Sequence, residues 1–175
     1  MSTVKLADIP EKDIFKIAGI EFIKFPEVNG KTPAVAKDIA FKSRFGNSNN
    51  LNESFFVEQL NEFYEKIKAE IGEENIYEFE TDLRTLDGLR PYKNFESRIS
   101  IPTFGFYRDN VGIFDMYKLE TWWWLATPES AKPHDEPNWN LCVSPRGFIN
   151  FNNCIYNGSG VRPFCILKSD IFVSE

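Results

Sequence analysis

The chain has 175 residues and a formal net charge of −6, which suits one domain over 1–175. Because 42% of its residues are hydrophobic and 15% aromatic, it can bury a core, and this excludes a disordered chain. The acidic balance excludes direct binding of nucleic acid through its phosphates, since such binding depends on Lys and Arg. It permits a protein partner.

The N-terminus and the apolar runs bear on where the protein resides. Residues 1–5 open no continuous apolar stretch of the kind found in a secretory signal. No apolar run approaches the roughly 20 residues that cross a bilayer. The sequence therefore predicts a protein made in the cytoplasm, without a signal peptide and without membrane insertion.

Three cysteines, Cys142, Cys154 and Cys165, show no metal-ligand spacing, and their odd number leaves at least one thiol unpaired. Buried free thiols are the simplest interpretation in a reducing compartment. A disulfide between consecutive cysteines requires that their strands be neighbours.

The first half of the chain predicts strands followed by a long helix. Apolar residues in 14–25 and 32–41 flank the turn signal Asn29-Gly30, which predicts a β-hairpin or strand pair. Helical spacing then predicts a helix with Asn52 as its N-cap and Gly72 at its C-cap. Its apolar face consists of Phe56, Leu60, Phe63, Ile67 and Ile71.

The second half predicts short elements separated by turn residues. Short strands are expected at 76–79 and near Ile99, and a short helix or turn is expected at 108–119. Further strands are predicted at 122–126, 139–144, 148–151 and 161–167. The prediction is an α+β fold with small antiparallel sheets, two helices and long loops.

Catalysis finds no support in the residues. The one histidine, His134, needs partners converging on the polar stretch 131–137, and an exposed loop histidine is the simpler interpretation. The sequence contains no nucleophile elbow and no glycine-rich phosphate loop. We therefore expect a protein that is not an enzyme.

The tripeptide Glu136-Pro137-Asn138 permits a calcium site. In animal C-type lectins an EPN tripeptide gives calcium a carboxylate and an amide oxygen, and sugar hydroxyls complete its shell of oxygen ligands. A WND tripeptide adds ligands in those lectins, whereas the nearest counterpart here, Phe151-Asn152-Asn153, lacks the carboxylate. A calcium-dependent sugar site and a coincidental loop are the two alternatives, and no other cofactor is expected.

Aromatic and polar side chains mark the region 129–157 as a binding surface. Trp139, beside the polar loop, is a candidate anchor for a sugar ring or a protein. Amide, phenol and guanidinium groups suit recognition of hydroxyls, and a set of solvated turns is the alternative interpretation. The predicted ligand-binding residues are Glu136, Asn138, Trp139, Arg146, Asn150, Asn152, Asn153 and Tyr156.

The consecutive residues Trp122, Trp123 and Trp124 have both a binding and a structural interpretation. Tryptophan faces stack on sugars and anchor protein interfaces. Successive strand residues point to opposite faces of a sheet, so at least one or two of the three should be buried. We expect core packing for Trp122 with Trp124, or for Trp123 alone.

Three C-terminal blocks resemble a bacterial and phage domain of unknown function. They correspond to its WWLRSP, V-x-x-x-G and GVRPAL motifs and read Trp123-Trp124-Leu125-Ala126-Thr127-Pro128, Val143-Ser144-Pro145-Arg146-Gly147 and Gly160-Val161-Arg162-Pro163-Phe164. Upstream, Ser54 and the segment Leu60-Asn61 with Phe63 resemble the first helix of that domain, so the resemblance spans residues 14–168. The motif order is also similar to the fibrobacter-type major paralogous domain and to the core of formylglycine-generating enzymes.

The resemblance implies a C-type-lectin-like fold and a non-catalytic binding module of bacterial or phage origin. Such a module would recognise a host-surface glycan or protein through the loop region 129–157. Arg162 would be a structural anchor whose guanidinium binds loop carbonyls or a carboxylate. The chain departs from the family at Ala126, where an arginine is lost, and in a longer proline-rich stretch at 129–138. Formylglycine generation is not expected, since the cysteines lack that enzyme's motif context.

An intracellular phage or bacterial effector that binds and inhibits a soluble host protein is the alternative function. The N-terminus, the expected free thiols and the acidic surface fit it, because an acidic protein can occupy a basic channel of its target. The first function places the protein on a virion and the second in the host cytoplasm. A purely structural virion component is a third interpretation, and homo-oligomerisation is left open.

Overall fold

The computed structural model describes residues 3–130 and 138–175. The chain is 36% strand and 22% helix, so sheets dominate a fold that contains both kinds of element. Over the described residues there are three α-helices where the sequence predicted two, and none of them is long and apolar enough to span a bilayer. They are α1 (Val57–Ile71), α2 (Phe104–Asp109) and α3 (Val111–Met116).

Strands run from one end of the described chain to the other. In chain order they are β1 (Thr3–Lys5), β2 (Ile14–Ile17), β3 (Ile20–Lys24), β4 (Lys31–Ala36), β5 (Phe41–Arg44), β6 (Phe79–Thr81), β7 (Phe95–Ser97), β8 (Trp123–Pro128), β9 (Trp139–Val143), β10 (Ile149–Asn153), β11 (Gly158–Val161), β12 (Phe164–Lys168) and β13 (Phe172–Ser174). Each strand predicted after residue 121 is present, and the predicted strand 161–167 is divided at Arg162-Pro163 into β11 and β12. The strands predicted at 76–79 and near Ile99 are displaced, and lie at Phe79–Thr81 and Phe95–Ser97.

The strands form two large sheets and one two-stranded ribbon. The six-stranded sheet has the order β1-β13-β2-β3-β4-β12 and is antiparallel throughout. The five-stranded sheet has the order β10-β9-β8-β11-β5, and β11 runs parallel to β8. Both are larger than the small sheets expected from sequence, because strands distant in the chain pair with one another.

The turn signal in the N-terminal half is confirmed. Asn29 and Gly30 both have positive φ, 51° and 73°, the pair of left-handed residues that a type I′ turn requires. Val28 and Lys31 exchange two hydrogen bonds of 3.0 Å across it. The predicted hairpin is therefore present and consists of β3 and β4, and β2 pairs with the other edge of β3.

Helix α1 begins and ends for different reasons. The predicted end is confirmed, since Gly72 has φ 83° and its amide donates to the Lys68 carbonyl at 2.9 Å. The predicted N-cap is wrong. Asn52 lies in a 3-10 turn (Leu51–Glu53), where its amide donates to the Asn50 side chain at 3.1 Å, and α1 starts only at Val57.

Strand β8 of the five-stranded sheet is buried on both faces, and its adjacent tryptophans enter two separate cores. Trp124 packs on one face with Phe45, and Trp123 packs on the other with Tyr107 and Phe114 of α2 and α3. Trp122, which precedes β8, is 37% exposed. The expected burial of one or two tryptophans is confirmed. The choice between Trp122 with Trp124 and Trp123 alone was wrong, because that choice assumed a sheet with one buried face.

Arg162 occupies the break between β11 and β12 and is almost fully buried. Its Nε and Nη2 donate to the carbonyls of Ala36 at 3.0 Å and Lys37 at 2.7 Å. The guanidinium lies 4.8 Å from the ring centre of Trp123, a cation–π contact. Desolvation lowers its pKa to about 10, which leaves it charged at neutral pH. The expected role of a structural anchor on loop carbonyls is confirmed.

All three cysteines are free and buried, as the sequence predicted. Burial raises the pKa of each thiol from 9.0 to about 12, so the unreactive protonated form dominates at neutral pH. We expect a disulfide-exchange reagent to modify none of them in the native protein at pH 8 and all three in denaturant. Fast modification of a native thiol would contradict this assignment.

The same pKa values predict how stability depends on pH. The free energy of unfolding should be undiminished by these thiols below pH 9 and should fall between pH 9 and 12, because only the unfolded chain ionises them readily in that range.

Candidate functional site

The polar stretch 131–137, with His134 and Glu136, lies outside the described residues, but the chain on either side of it is well anchored. Asn49, fully buried, donates from Nδ2 to the carbonyls of Ser130 at 2.9 Å and Trp139 at 3.0 Å. Its Oδ1 accepts a hydrogen bond of 2.6 Å from the Tyr92 hydroxyl. The side-chain amide of Asn49 thus ties the two ends of the stretch together.

The segment 82–90 braces the same ends. The Ser130 hydroxyl donates to Asp87 Oδ2 at 2.6 Å, and the amide of Leu86 donates to the Pro128 carbonyl at 3.0 Å. Hydrogen bonds from Ser130 and then Thr85 hold the pKa of Asp87 below its usual range, so it is ionised at neutral pH. On the other side, the Asn138 carbonyl accepts from the amide of Cys154 at 2.7 Å.

Strands β9 and β10 form the hairpin that carries most of the predicted site. Its register pairs Trp139 with Asn153 at one end and Val143 with Ile149 at the other. Arg146 lies in the turn that joins the strands, beside Gly147 at φ 83°. Five-residue strands place that turn about 14 Å from Trp139, so Arg146 and Trp139 lie at opposite ends of the hairpin.

Alternation along β10 separates the other predicted residues by face. Trp139 shares its face with Phe151, and their rings make a T-shaped contact with centres 5.5 Å apart. These two side chains are 38% and 51% exposed. Asn150 and Asn152 point to the opposite face, since the period of a strand is two. The structure brings Trp139 together with Phe151, a residue that the sequence did not single out.

The side chains of Asn150 and Asn152 are hydrogen-bonded to the strand that carries them. Asn150 Oδ1 accepts from the amide of Phe151 at 2.8 Å, and Asn152 Oδ1 accepts from the amide of Asn153 at 3.2 Å. Strand β10 is an edge strand, and its odd-numbered residues direct their backbone groups away from β9. The two asparagines therefore cover donors that an edge strand would otherwise offer to another strand.

Removing the side-chain amides of Asn150 and Asn152 should expose the backbone N–H groups at the outer edge of β10. We expect the double variant N150V/N152V to self-associate with increasing concentration, because the amides of Phe151 and Asn153 then lack their acceptors. Sedimentation velocity over a hundredfold concentration range measures the effect. Asn157→Val is the matched control, since Asn157 donates to Asn152 and covers no strand amide. A double variant that associates no more strongly than the native chain would show that the asparagines do not protect this edge.

Asn153 and Tyr156 belong to a turn at the end of β10. Asn153 Oδ1 accepts from the amides of Ile155 at 2.9 Å and Tyr156 at 3.2 Å, the pattern of an Asx turn. The turn presents the Tyr156 ring, which is 79% exposed. The amide oxygens of both Asn152 and Asn153 are thus engaged locally.

We refer to the exposed rings of Trp139, Phe148, Phe151 and Tyr156 as the aromatic edge. Phe148, in the hairpin turn, is 67% exposed, so two of the four rings were not predicted. Alternation alone identifies neither, because it does not show which face of a strand is left uncovered.

The calcium site predicted from the sequence lies only in part among the described residues. They contain no cluster of three or more His, Cys, Asp or Glu side chains suited to a metal. The counterpart of the second lectin tripeptide does not fit calcium, since Asn152 and Asn153 already accept backbone hydrogen bonds through the oxygens that an ion needs. Glu136 lies outside the described residues.

Comparison with known proteins does not add to this geometry. Searches against protein-family models, curated proteins and solved structures give no match to this chain. Its function must therefore be argued from its own residues.

Proposed function

We propose that this protein is a non-catalytic binding module that recognises a host-surface ligand through the aromatic edge of the β9–β10 hairpin. The observation that carries the proposal is the exposed Trp139–Phe151 pair, 5.5 Å apart at the anchored end of the hairpin. Soluble domains that expose large aromatic rings in contact with one another commonly use them for binding. A glycan is the ligand class that we favour.

Aromatic rings on a rigid hairpin suit a sugar ligand. A tryptophan or phenylalanine face offers a flat apolar surface to the C–H groups of a sugar ring, and the surrounding polar groups can bind its hydroxyls. The backbone around Trp139 is fixed by Asn49 and by the register with Asn153. Little conformational entropy is then lost when a ligand binds.

The covered edge of β10 favours recognition through side chains. Addition of a partner strand would need the outward amides of Phe151 and Asn153, which Asn150 and Asn152 occupy. The available groups are the rings themselves and the ends of the hairpin. This supports a ligand that stacks on the rings over a partner that extends the sheet.

A C-type-lectin-like arrangement is part of this proposal. Two helical regions, α1 and α2 with α3, pack against the sheets, and the first described strand, β1, pairs with the last, β13. The C-terminal blocks that resemble the bacterial and phage domain provide β8, the β9–β10 turn and Arg162. These features support the assignment of the binding region to 129–157.

A second candidate function uses the same surface for a soluble host protein inside the cell. The observation that favours it is the presence of three free buried thiols, a cysteine usage typical of reducing compartments. A net charge of −6 would attract a basic target. Such a complex would weaken as salt is raised.

A split pull-down tests both candidates. The tagged full chain is exposed separately to envelope and cytosolic fractions of a candidate host, and bound material is identified by glycan analysis and mass spectrometry. Retention of envelope polysaccharide, lost in the W139A/F151A variant, is the expected result. Retention should survive a calcium chelator. Stoichiometric capture of one cytosolic protein would favour the second candidate. If the W139A/F151A variant retains as much material as the native chain, the aromatic edge has no role in binding.

A further inference from the structure

A cleft lies near the end of the β9–β10 hairpin that carries Trp139. It is a cleft of about 310 Å³ between the segments 82–88 and 103–108, with Thr127 of β8 in its wall. Its lining includes Asp82, Arg84, Thr103, Phe104, Arg108 and Thr127. The volume is near the lower end for small-molecule sites, which fits one sugar unit more readily than a large ligand.

The cleft lies next to the aromatic pair. The amide of Phe104 donates to Thr127 Oγ1 at 2.9 Å, so α2 is held against the end of β8. Pro128, the next residue, pairs with Asn140, the neighbour of Trp139 on β9. The amide of Glu129 donates to the Trp139 carbonyl at 3.2 Å, so the end of β8 that carries Thr127 runs beside the end of β9 that carries Trp139.

Two arginines and one carboxylate, Asp82, line the cleft, so its charged side chains carry one excess positive charge. Arg84 and Arg108 are both more than half exposed, and their nearest carboxylates, those of Asp82 at 4.0 Å and Asp109 at 2.9 Å, are contacted through Nε. Asp82 is also shared with Arg90 at 3.1 Å. The terminal amino groups of an exposed guanidinium group suit a planar anion such as a carboxylate.

The hydroxyl groups of the cleft are oriented by the backbone. Thr127 Oγ1 accepts from the amide of Phe104, and Thr103 Oγ1 accepts from the amide of Phe106 at 3.1 Å. A hydroxyl that accepts from an amide retains its own proton as a donor. The wall thus combines hydroxyl donors with guanidinium groups and the Phe104 ring.

We infer that this cleft binds the carboxylate of an acidic saccharide, a uronic acid unit being the simplest example. The inference rests on the proposed function and narrows its ligand class. Guanidinium groups recognise carboxylates with paired hydrogen bonds, while threonine hydroxyls suit the hydroxyl groups of the same sugar ring. An acidic peptide offers the carboxylate but lacks those neighbouring hydroxyls.

The test compares three probes with the full chain by isothermal titration calorimetry. The probes are polygalacturonate, its neutral methyl ester and polyglutamate. The native protein should bind polygalacturonate at least tenfold more tightly than the ester and the peptide. The R84Q/R108Q variant should lose this preference while keeping its affinity for the ester and its melting temperature. R90Q is the matched control, because Arg90 contacts Asp82 without lining the cleft.

Each other outcome overturns the inference. Equal binding of polygalacturonate and the ester would show that the carboxylate is not read, and it would leave the aromatic edge intact as a binding surface. Tighter binding of polyglutamate would assign the cleft to peptides. Absence of binding to all three, together with retention of envelope glycan in the pull-down, would reject the acidic class but not the proposed function.

Discussion

The variant Arg162→Met should be more strongly destabilised than any other single-site variant considered for this protein. Its melting temperature should be lower than that of the native protein by about 9 °C. Methionine fills much of the space but donates no hydrogen bond, so the carbonyls of Ala36 and Lys37 lose their partners. An unsatisfied buried acceptor costs about 1–3 kcal/mol, and the contact with Trp123 is lost as well. Removal of a desolvated charge offsets part of this, which leaves a net loss of about 3 kcal/mol.

Differential scanning calorimetry measures this effect, and two variants control for it. Arg162→Lys keeps the charge but cannot donate to two carbonyls in a planar geometry, so its melting temperature should lie between those of the other two proteins. Arg146→Met makes the same change in an exposed turn and should leave the melting temperature unchanged. If Arg162→Met melts with the native protein, Arg162 does not anchor the junction of β11 and β12.

The double variant W139A/F151A should lose binding to the envelope ligand by thirtyfold or more and keep its melting temperature within about 2 °C. Truncation of a central aromatic contact commonly costs about 2 kcal/mol of binding free energy, which corresponds to about thirtyfold in Kd. Both rings are substantially exposed, so folding buries only part of each side chain. Surface plasmon resonance on immobilised ligand and a thermal melt provide the two readouts.

Trp122→Ala is the matched control for this variant. Trp122 is 37% exposed, almost the same fraction as Trp139, but it precedes β8 at the far end from the anchored end of the hairpin. Its removal should leave the affinity within a factor of two. Equal losses in the two variants would mean that exposed tryptophans contribute nonspecifically. A large drop in the melting temperature of W139A/F151A would assign the pair to folding.

The parts of the fold that depend on local chemistry were predictable. The spacing of Phe56, Leu60, Phe63 and Ile67 predicted α1, and Asn29-Gly30 predicted the turn between β3 and β4. Both signals act within a few residues of the chain. The N-cap was missed since Asn50 and Asn52 satisfy each other in a 3-10 turn before the helix begins. A polar residue near a helix start therefore identifies the start only approximately.

Sheet order could not be read from the sequence, and the site depends on it. That β10 is an edge strand follows from the strand order of the whole sheet, which joins β8 to β11 and β5. That β8 is covered on both faces follows from the packing of Phe45 on one side and of α2 and α3 on the other. Alternation separates Asn150 and Asn152 from Trp139, but their use in covering edge amides requires knowledge of the edge. The hydrogen bonds from Asn49 to Ser130 and Trp139, and the cleft around Arg108, also depend on contacts between residues distant in the chain.

Hydrogen exchange of the full chain, free and bound to the retained envelope fraction, tests the central claim most directly. The account predicts that protection on binding is confined to β9, β10 and the turn at 153–157, with a smaller effect at the cleft around Arg108. Another concave surface, of about 460 Å³ and lined by Lys16, Ile20, Ile39 and Phe63, lies between the first hairpin and α1. Protection there, with none along the β9–β10 hairpin, would contradict the account.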